Sequence, residues 1–153
     1  LGHRAERKDG DRRYLNAPMV DRKLPGMQRA LDVAGMLPVL SEILNREAVP
    51  VSLSHMQAEL LKHVPGKRGV IAYHLFVTDH AAPARVVYGK LYRKDRGREI
   101  FATLQALWQA AQTRRSAFML PRPLAYLPEM GLVLQTAAAG RALTSFAHPD
   151  ERR

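Results

Sequence analysis

A lysine at position 90 stands in the stretch RVVYGKLYRK, residues 85–94, which otherwise reads as a covered β-strand. Val86, Val87, Tyr88, Leu91 and Tyr92 favour a pleated, half-buried surface. An unpaired ammonium is costly to remove from water. The position therefore asks for a partner of opposite charge, or for an edge strand whose lysine stem covers apolar surface while the amine reaches solvent. Upstream, PGKRG (65–69) combines Gly66 and Gly69, which admit positive φ and close backbone approach, with the charges of Lys67 and Arg68. That is the composition of a basic β-turn or of an anion contact. It is not a Walker-type loop, because no Gly-Lys-Ser/Thr stands at the required spacing. His55, His63, His74 and His80 are scattered without acidic or cysteine neighbours at ligand spacing. No metal site is expected from them.

The elements that position these residues follow from periodicity. Val33, Met36, Leu37, Leu40, Ile43 and Leu44 recur at helical spacing and predict an amphipathic helix over 33–45, with Asp32 as N-cap and Pro38 near its first turn. Residues 21–32 read as a turn-bearing lead-in punctuated by Pro25 and Gly26. The segment 49–64 is ambiguous, strand-like at its start and compatible with helix or strand in SHMQAELLKH. Residues 70–77 and 85–93 are predicted to form an antiparallel hairpin. Ile100, Phe101, Leu104, Leu107, Trp108 and Ala111 make the strongest helical stripe in the chain, read as a core stripe with Asp95 as N-cap. Tyr73, Tyr88 and Tyr92 are expected to pack against that helix. PRPLAYLPEMGLVLQ follows as an extended segment, a PEMG turn and another strand, and RALTSFAH begins a further helix. The fold class expected is α+β, a small antiparallel sheet crossed by one helix and preceded by another.

The chain has 153 residues, 46% apolar and 25% charged, which suits one domain with one core. It has no apolar run long enough for a membrane span and no apolar block of a signal peptide, so no membrane partner is expected. With no cysteine it can form neither disulfides nor thiolate metal sites, and a reducing, cytoplasmic setting is expected. The net charge of +10 suits nucleic acid, acidic lipid or a phosphate-bearing small molecule. Much of that excess lies near the ends, at Arg4, Arg7, Lys8, Arg12, Arg13, Arg152 and Arg153. A start at Leu1 and a stop directly after a helix begins lead us to expect a fragment of a longer protein.

Taken in order, the PGKRG turn, the hairpin with VVYGKLY, the helix, PRPLAYL and GLVLQTAAAGRAL resemble the N-terminal lobe of the aminoglycoside phosphotransferase and choline kinase group. That group is distantly similar to protein kinases. The resemblance runs from about Asp21 to Phe146 and rests on order and spacing, since each motif alone is loose. Composition reads 1–20 as a basic, disordered tail, and the resemblance implies a protein-kinase-like N-terminal nucleotide-binding lobe over 21–139, with a hinge exit and the start of a truncated C-terminal lobe over 140–153.

By the same resemblance Lys90 matches the third-strand lysine that holds the phosphates of ATP. Glu99, the only acidic residue between Asp95 and Glu129, is the candidate carboxylate for it. Gly66, Lys67, Arg68 and Gly69 occupy the place of the loop that covers the phosphates. Leu134 would sit at the back of the adenine pocket, with the carbonyl of Gln135 and the amide of Ala137 pairing to the base. Tyr88 stands where protein kinases keep a small residue, and would stack on adenine or narrow the pocket.

The implied reaction moves the γ-phosphoryl of ATP to a hydroxyl of a small molecule, with Mg²⁺ held by the absent lobe. The family's catalytic loop, resembling H-G-D-x-x-x-x-N, and its metal-binding aspartate have no counterpart here. No catalytic residue is expected in this chain. Two rivals stand beside this reading. One is a non-enzymatic basic module binding nucleic acid through PGKRG, Arg85, Arg93, Lys94 and Arg96, with affinity that collapses as salt rises. The other is a kinase-like lobe without catalysis that serves as a partner-binding scaffold.

Overall fold

The computed structural model describes residues 20–47, 51–78, 83–114 and 120–138. The expected N-terminal tail up to residue 19, His80, the segment 139–153 and the helix expected from RALTSFAH lie outside the described residues.

The element order is α1 (Met27–Leu31), α2 (Val33–Asn45), β1 (Leu53–Val64), β2 (Arg68–Val77), β3 (Arg85–Tyr92), α3 (Arg96–Thr113), β4 (Pro123–Leu127) and β5 (Leu132–Thr136). The strands form one five-stranded antiparallel sheet in the order β1-β2-β3-β5-β4. This is the α+β architecture expected. The predicted hairpin is present as β2 and β3, paired from Arg68–Tyr92 to Leu75–Arg85.

The ambiguous segment 49–64 resolves as strand, β1, although Met, Gln, Ala, Glu, Leu and Lys are good helix formers. Its period decides the matter. Met56, Ala58 and Leu60 alternate with Gln57 and Glu59, and these three apolar residues join or pack against the core. Ten pairings to β2 outweigh local propensity, and β1 carries irregularities between Leu53 and His55 and between Leu60 and Lys62.

The lead-in before α2, expected as a turn, contains a short helix, α1. It packs with α2 on one face of the sheet. Met27, Ala30, Met36, Leu40 and Leu44 meet Tyr73, Leu75, Val87, Leu91, Leu132 and Leu134 in a single buried cluster. The Tyr73 hydroxyl donates to the Ala30 carbonyl at 2.6 Å, satisfying a buried polar atom and fastening α1 to β2. Gly26 is required where α1 begins, since a Cβ there would lie 2.1 Å from the Met130 carbonyl oxygen.

α3 lies toward the opposite face, along β4 and β5. Gly97 lets it approach closely, with a Cβ at 97 falling 2.8 Å from the Tyr126 ring, and Phe101 stacks on Tyr126 with centroids 6.4 Å apart. The expected core stripe of α3 needs correction. Gly97 is its only buried residue, Phe101, Leu104 and Trp108 are half-buried, and Leu107 is 51% exposed. The helix rests on the narrow β4–β5 side of the sheet, so its apolar face is wider than the surface beneath it.

Candidate anion-binding face

The alternation of β3 separates two jobs. Val87, Gly89 and Leu91 are buried on the α1–α2 side. Val86, Tyr88, Lys90 and Tyr92 therefore point to the other face, because successive side chains on a strand alternate. Directly opposed residues of an antiparallel ladder share a face. Lys90 thus lies between Val70 on β2 and Val133 on β5, Tyr88 between Ala72 and Gln135, and Tyr92 beside Arg68.

Lys90 is half-buried, and its ammonium is held below the ordinary lysine value, first by burial and then by the nearby Arg68 guanidinium. Tyr92 is raised by burial, an effect opposed by the positive charges of Arg68 and Arg96. Of the three cations Arg68, Lys90 and Arg96, the first therefore acts on both Lys90 and Tyr92 and the last on Tyr92. Among the described residues no carboxylate lies within 4.0 Å of any of them, for the ion pairs present join Arg46 to Glu42, His63 to Asp21, His74 to Glu59, and both Arg85 and Arg122 to Glu47. Such an arrangement attracts an anion, since an incoming phosphate or carboxylate relieves both the burial cost and the mutual repulsion.

The residues singled out from the sequence divide. Arg68 joins Lys90, which its place in PGKRG alone did not reveal. Gly69 faces the core, where a Cβ would meet Met27 and Leu91 at 3.0 and 3.3 Å. Gly66 adopts φ +67° to turn the chain, and its N–H donates to Asp21 Oδ2 at 2.8 Å. That amide is occupied by the Asp21 carboxylate. Lys67 is exposed in the turn, with its N–H bonded to the Val64 carbonyl. Glu99 is exposed in the first turn of α3, and makes no ion pair with Lys90.

At the other end of the face, one assignment is corrected. Leu134 pairs with Gly89 and belongs to the core cluster, so it faces α1 and α2 rather than the side of Lys90. Its neighbours Val133 and Gln135 share the face of Lys90 and are both buried. Tyr88 is half-buried there, two residues along from Lys90, and Ala137 is exposed just beyond β5.

Other groups are accounted for by structure. Asp21, which no local motif marks, accepts from His63 Nε2 at 2.9 Å as well as from Gly66. These bonds hold the Asp21 carboxyl down at about 2, Gly66 contributing most and His63 next. His74 meets Glu59 at 3.2 Å and His55 stacks on Phe76 at 4.3 Å. Among the described residues no group of three His, Asp or Glu side chains could hold a metal ion. Arg85, one of the cations of the nucleic-acid reading, is taken by Glu47 through two nitrogen donors at 2.9 and 3.3 Å. A cleft of about 470 Å³ opens between the end of α2, α3 and β4, walled by Glu47, Trp108, Arg122 and Leu124 among others. Neither Lys90 nor Arg68 lines it, so it is separate from the cationic face.

The molecule is thus an α+β domain whose sheet is sealed on one face by two helices and carries, on the other, cations with no carboxylate within 4.0 Å among the described residues. Comparison with protein-family models, with curated proteins and with solved structures found no match for the chain. Among the described residues no helix is long and apolar enough to cross a membrane.

Proposed function

We propose that this chain is the phosphate-gripping lobe of an ATP-dependent phosphotransferase that acts on a hydroxyl of a small molecule, with Lys90 as the principal phosphate contact. The observation that carries the reading is the state of Lys90: half-buried, repelled by Arg68, and without a carboxylate within 4.0 Å among the described residues. A lysine needed only for solubility would sit at an edge with its amine in water. Lys90 instead lies on β3, which is paired on both sides.

The residues present fit an oligophosphate. Lys90 and Arg68 stand across adjacent strands and Arg96 stands at the start of α3 beside Tyr92, so negative charge can be shared among three donors. Tyr88, half-buried one strand repeat away, provides a ring against which the rest of the nucleotide would lie. Bound ATP supplies the phosphoryl group. The chain's own residues hold and orient its phosphates and offset their charge. Mg²⁺ has no ligand set among the described residues, and no step is assigned to it on this chain.

The test is equilibrium binding of tripolyphosphate and of ATP to the chain, with Lys90→Ala beside the wild type. Saturable binding weakened at least tenfold by Lys90→Ala supports the reading. Equal binding by both proteins sinks it. Binding of single-stranded RNA that falls steeply with salt and is not displaced by tripolyphosphate would point to the basic nucleic-acid module instead.

A further inference from the structure

The cleft at the end of α2 lies apart from the cationic face, and its walls divide by chemistry. Phe101 stacks on Tyr126 of β4, but Trp108, two turns further along α3, lines the cleft together with Ile43 and Leu124. All three are half-buried, so an indole ring and two aliphatic side chains line the opening with part of their surface uncovered. The charges on the walls are Arg46, Arg122 and Glu47, which leaves one net positive charge. Glu47 is committed, since it receives Arg122 and also Arg85, which does not line the cleft. Arg46 is not. Its partner is Glu42, one turn back on α2, and the two side chains are 73% and 70% exposed. An exposed pair of that kind contributes little, so the Arg46 guanidinium can take a stronger partner at small cost. A volume of about 470 Å³ lies within the range of small-ligand sites, for which an apolar wall with a few charged groups is the usual lining.

We propose that this cleft binds a small aromatic carboxylate, its ring against Trp108, Ile43 and Leu124 and its carboxylate on the Arg46 guanidinium. Lys90, Arg68 and Arg96 do not line the cleft, so the site stands whether or not phosphate is bound at them. Charge and shape select the class. A cation meets a wall that is already net positive. A polyphosphate finds one exchangeable guanidinium for several charges, and a neutral ring leaves that guanidinium unused. A monocarboxylate on a flat ring matches one guanidinium through two parallel hydrogen bonds and the indole face by stacking.

The experiment titrates the chain with 2-naphthoate, with its neutral isostere 2-naphthalenemethanol and with cyclohexanecarboxylate, followed by ¹H–¹⁵N NMR. Trp108 is the only tryptophan, so its indole N–H gives one signal that reports on the cleft. The expected result is that 2-naphthoate moves this signal saturably and binds about tenfold more tightly than either control. Arg46→Gln lowers 2-naphthoate to the affinity of the alcohol and leaves the alcohol unchanged. Gln109→Glu, which adds a carboxylate to the lining, weakens 2-naphthoate and spares the alcohol. Both positions are exposed, so both variants melt close to wild type. No saturable movement of the indole signal overturns the proposal, as does equal affinity of the wild type for acid and alcohol. An unchanged 2-naphthoate affinity in Arg46→Gln overturns it too. Displacement of 2-naphthoate by equimolar tripolyphosphate would place the carboxylate on the Lys90 face and likewise overturn it. So would movement of the indole signal on dilution alone, which would put a second copy of the chain in the cleft.

Discussion

The ring of Tyr73 lies directly against the backbone of Gly89: a Cβ at position 89 would stand 2.8 Å from Tyr73 Cε2 and 3.0 Å from Leu132 Cδ1. The glycine before Lys90 is therefore a packing requirement of the core face, while the lysine serves the opposite face. The two adjacent residues answer to different physics because the strand alternates between them.

Gly89→Ala is accordingly expected to destabilise the fold by about 1–3 kcal/mol, the usual range for forcing an extra methyl into a packed core. Tyr73 cannot retreat freely, since its hydroxyl is fixed to the Ala30 carbonyl at 2.6 Å. Urea denaturation of the variant would register the loss as a lower midpoint with an unchanged slope. An unchanged midpoint would show that the ring has room to move.

The acid limb of the stability curve should carry the signature of Asp21. Its folded-state value is lowered from 3.8 to about 2, so its contribution is fully present above 3.8 and is lost as pH falls through about 2. Asp21→Asn should lower the melting temperature at neutral pH and flatten its decline between 3.8 and 2. Thermal melts at steps across this window decide the matter, and parallel curves for the two proteins would argue against the clasp to Gly66 and His63.

Lys90→Met should have opposite effects on stability and binding. Removing a half-buried ammonium repelled by Arg68 raises the unliganded melting temperature, while tripolyphosphate binding is lost. The pH dependence follows from the sign of the shift. With the folded-state value lowered below 10.5, the protonated lysine penalises the folded state at neutral pH, and the penalty fades as pH rises toward 10.5. The stability advantage of Lys90→Met should shrink over the same rise. A variant less stable than wild type at neutral pH would indicate an anionic partner for Lys90 already within the protein.

Glu47 receives both Arg85 and Arg122, joining the end of α2 to the starts of β3 and β4. Glu47→Ala leaves two guanidinium groups facing each other and should cost about 1–2 kcal/mol, less in high salt. Glu42→Ala removes only an exposed pair with Arg46, and should cost no more than about 0.5 kcal/mol. Chemical denaturation at low and high salt compares the two, and equal losses would show that the Glu47 hub is merely another surface pair.

Local pattern made much of the architecture legible. The helical spacing from Val33 to Leu44 and the β-branched, aromatic runs on either side of residues 78–84 depend only on neighbours along the chain, and the structure places α2, β2 and β3 there. The α+β class follows from that order. β1 was harder because its composition favours helix, while its alternation acquires meaning only against β2. The α3 stripe is less buried than its spacing predicts, since periodicity reports which face a helix offers but not how much surface receives it.

Within the candidate site, the sequence by itself determined that Lys90 is a charge in a strand and needs an explanation. Which face it shares, and with whom, was decided only by tertiary structure. A strand's alternation has no absolute direction until a neighbouring layer covers one side. Here α1 and α2 claim Gly89 and Leu134, which leaves Lys90 beside Arg68 and places Gln135, rather than Leu134, on its face. The clasp of Asp21 on Gly66 spans 45 positions and the two partners of Glu47 lie 38 and 75 positions away, distances over which spacing in the chain carries no information.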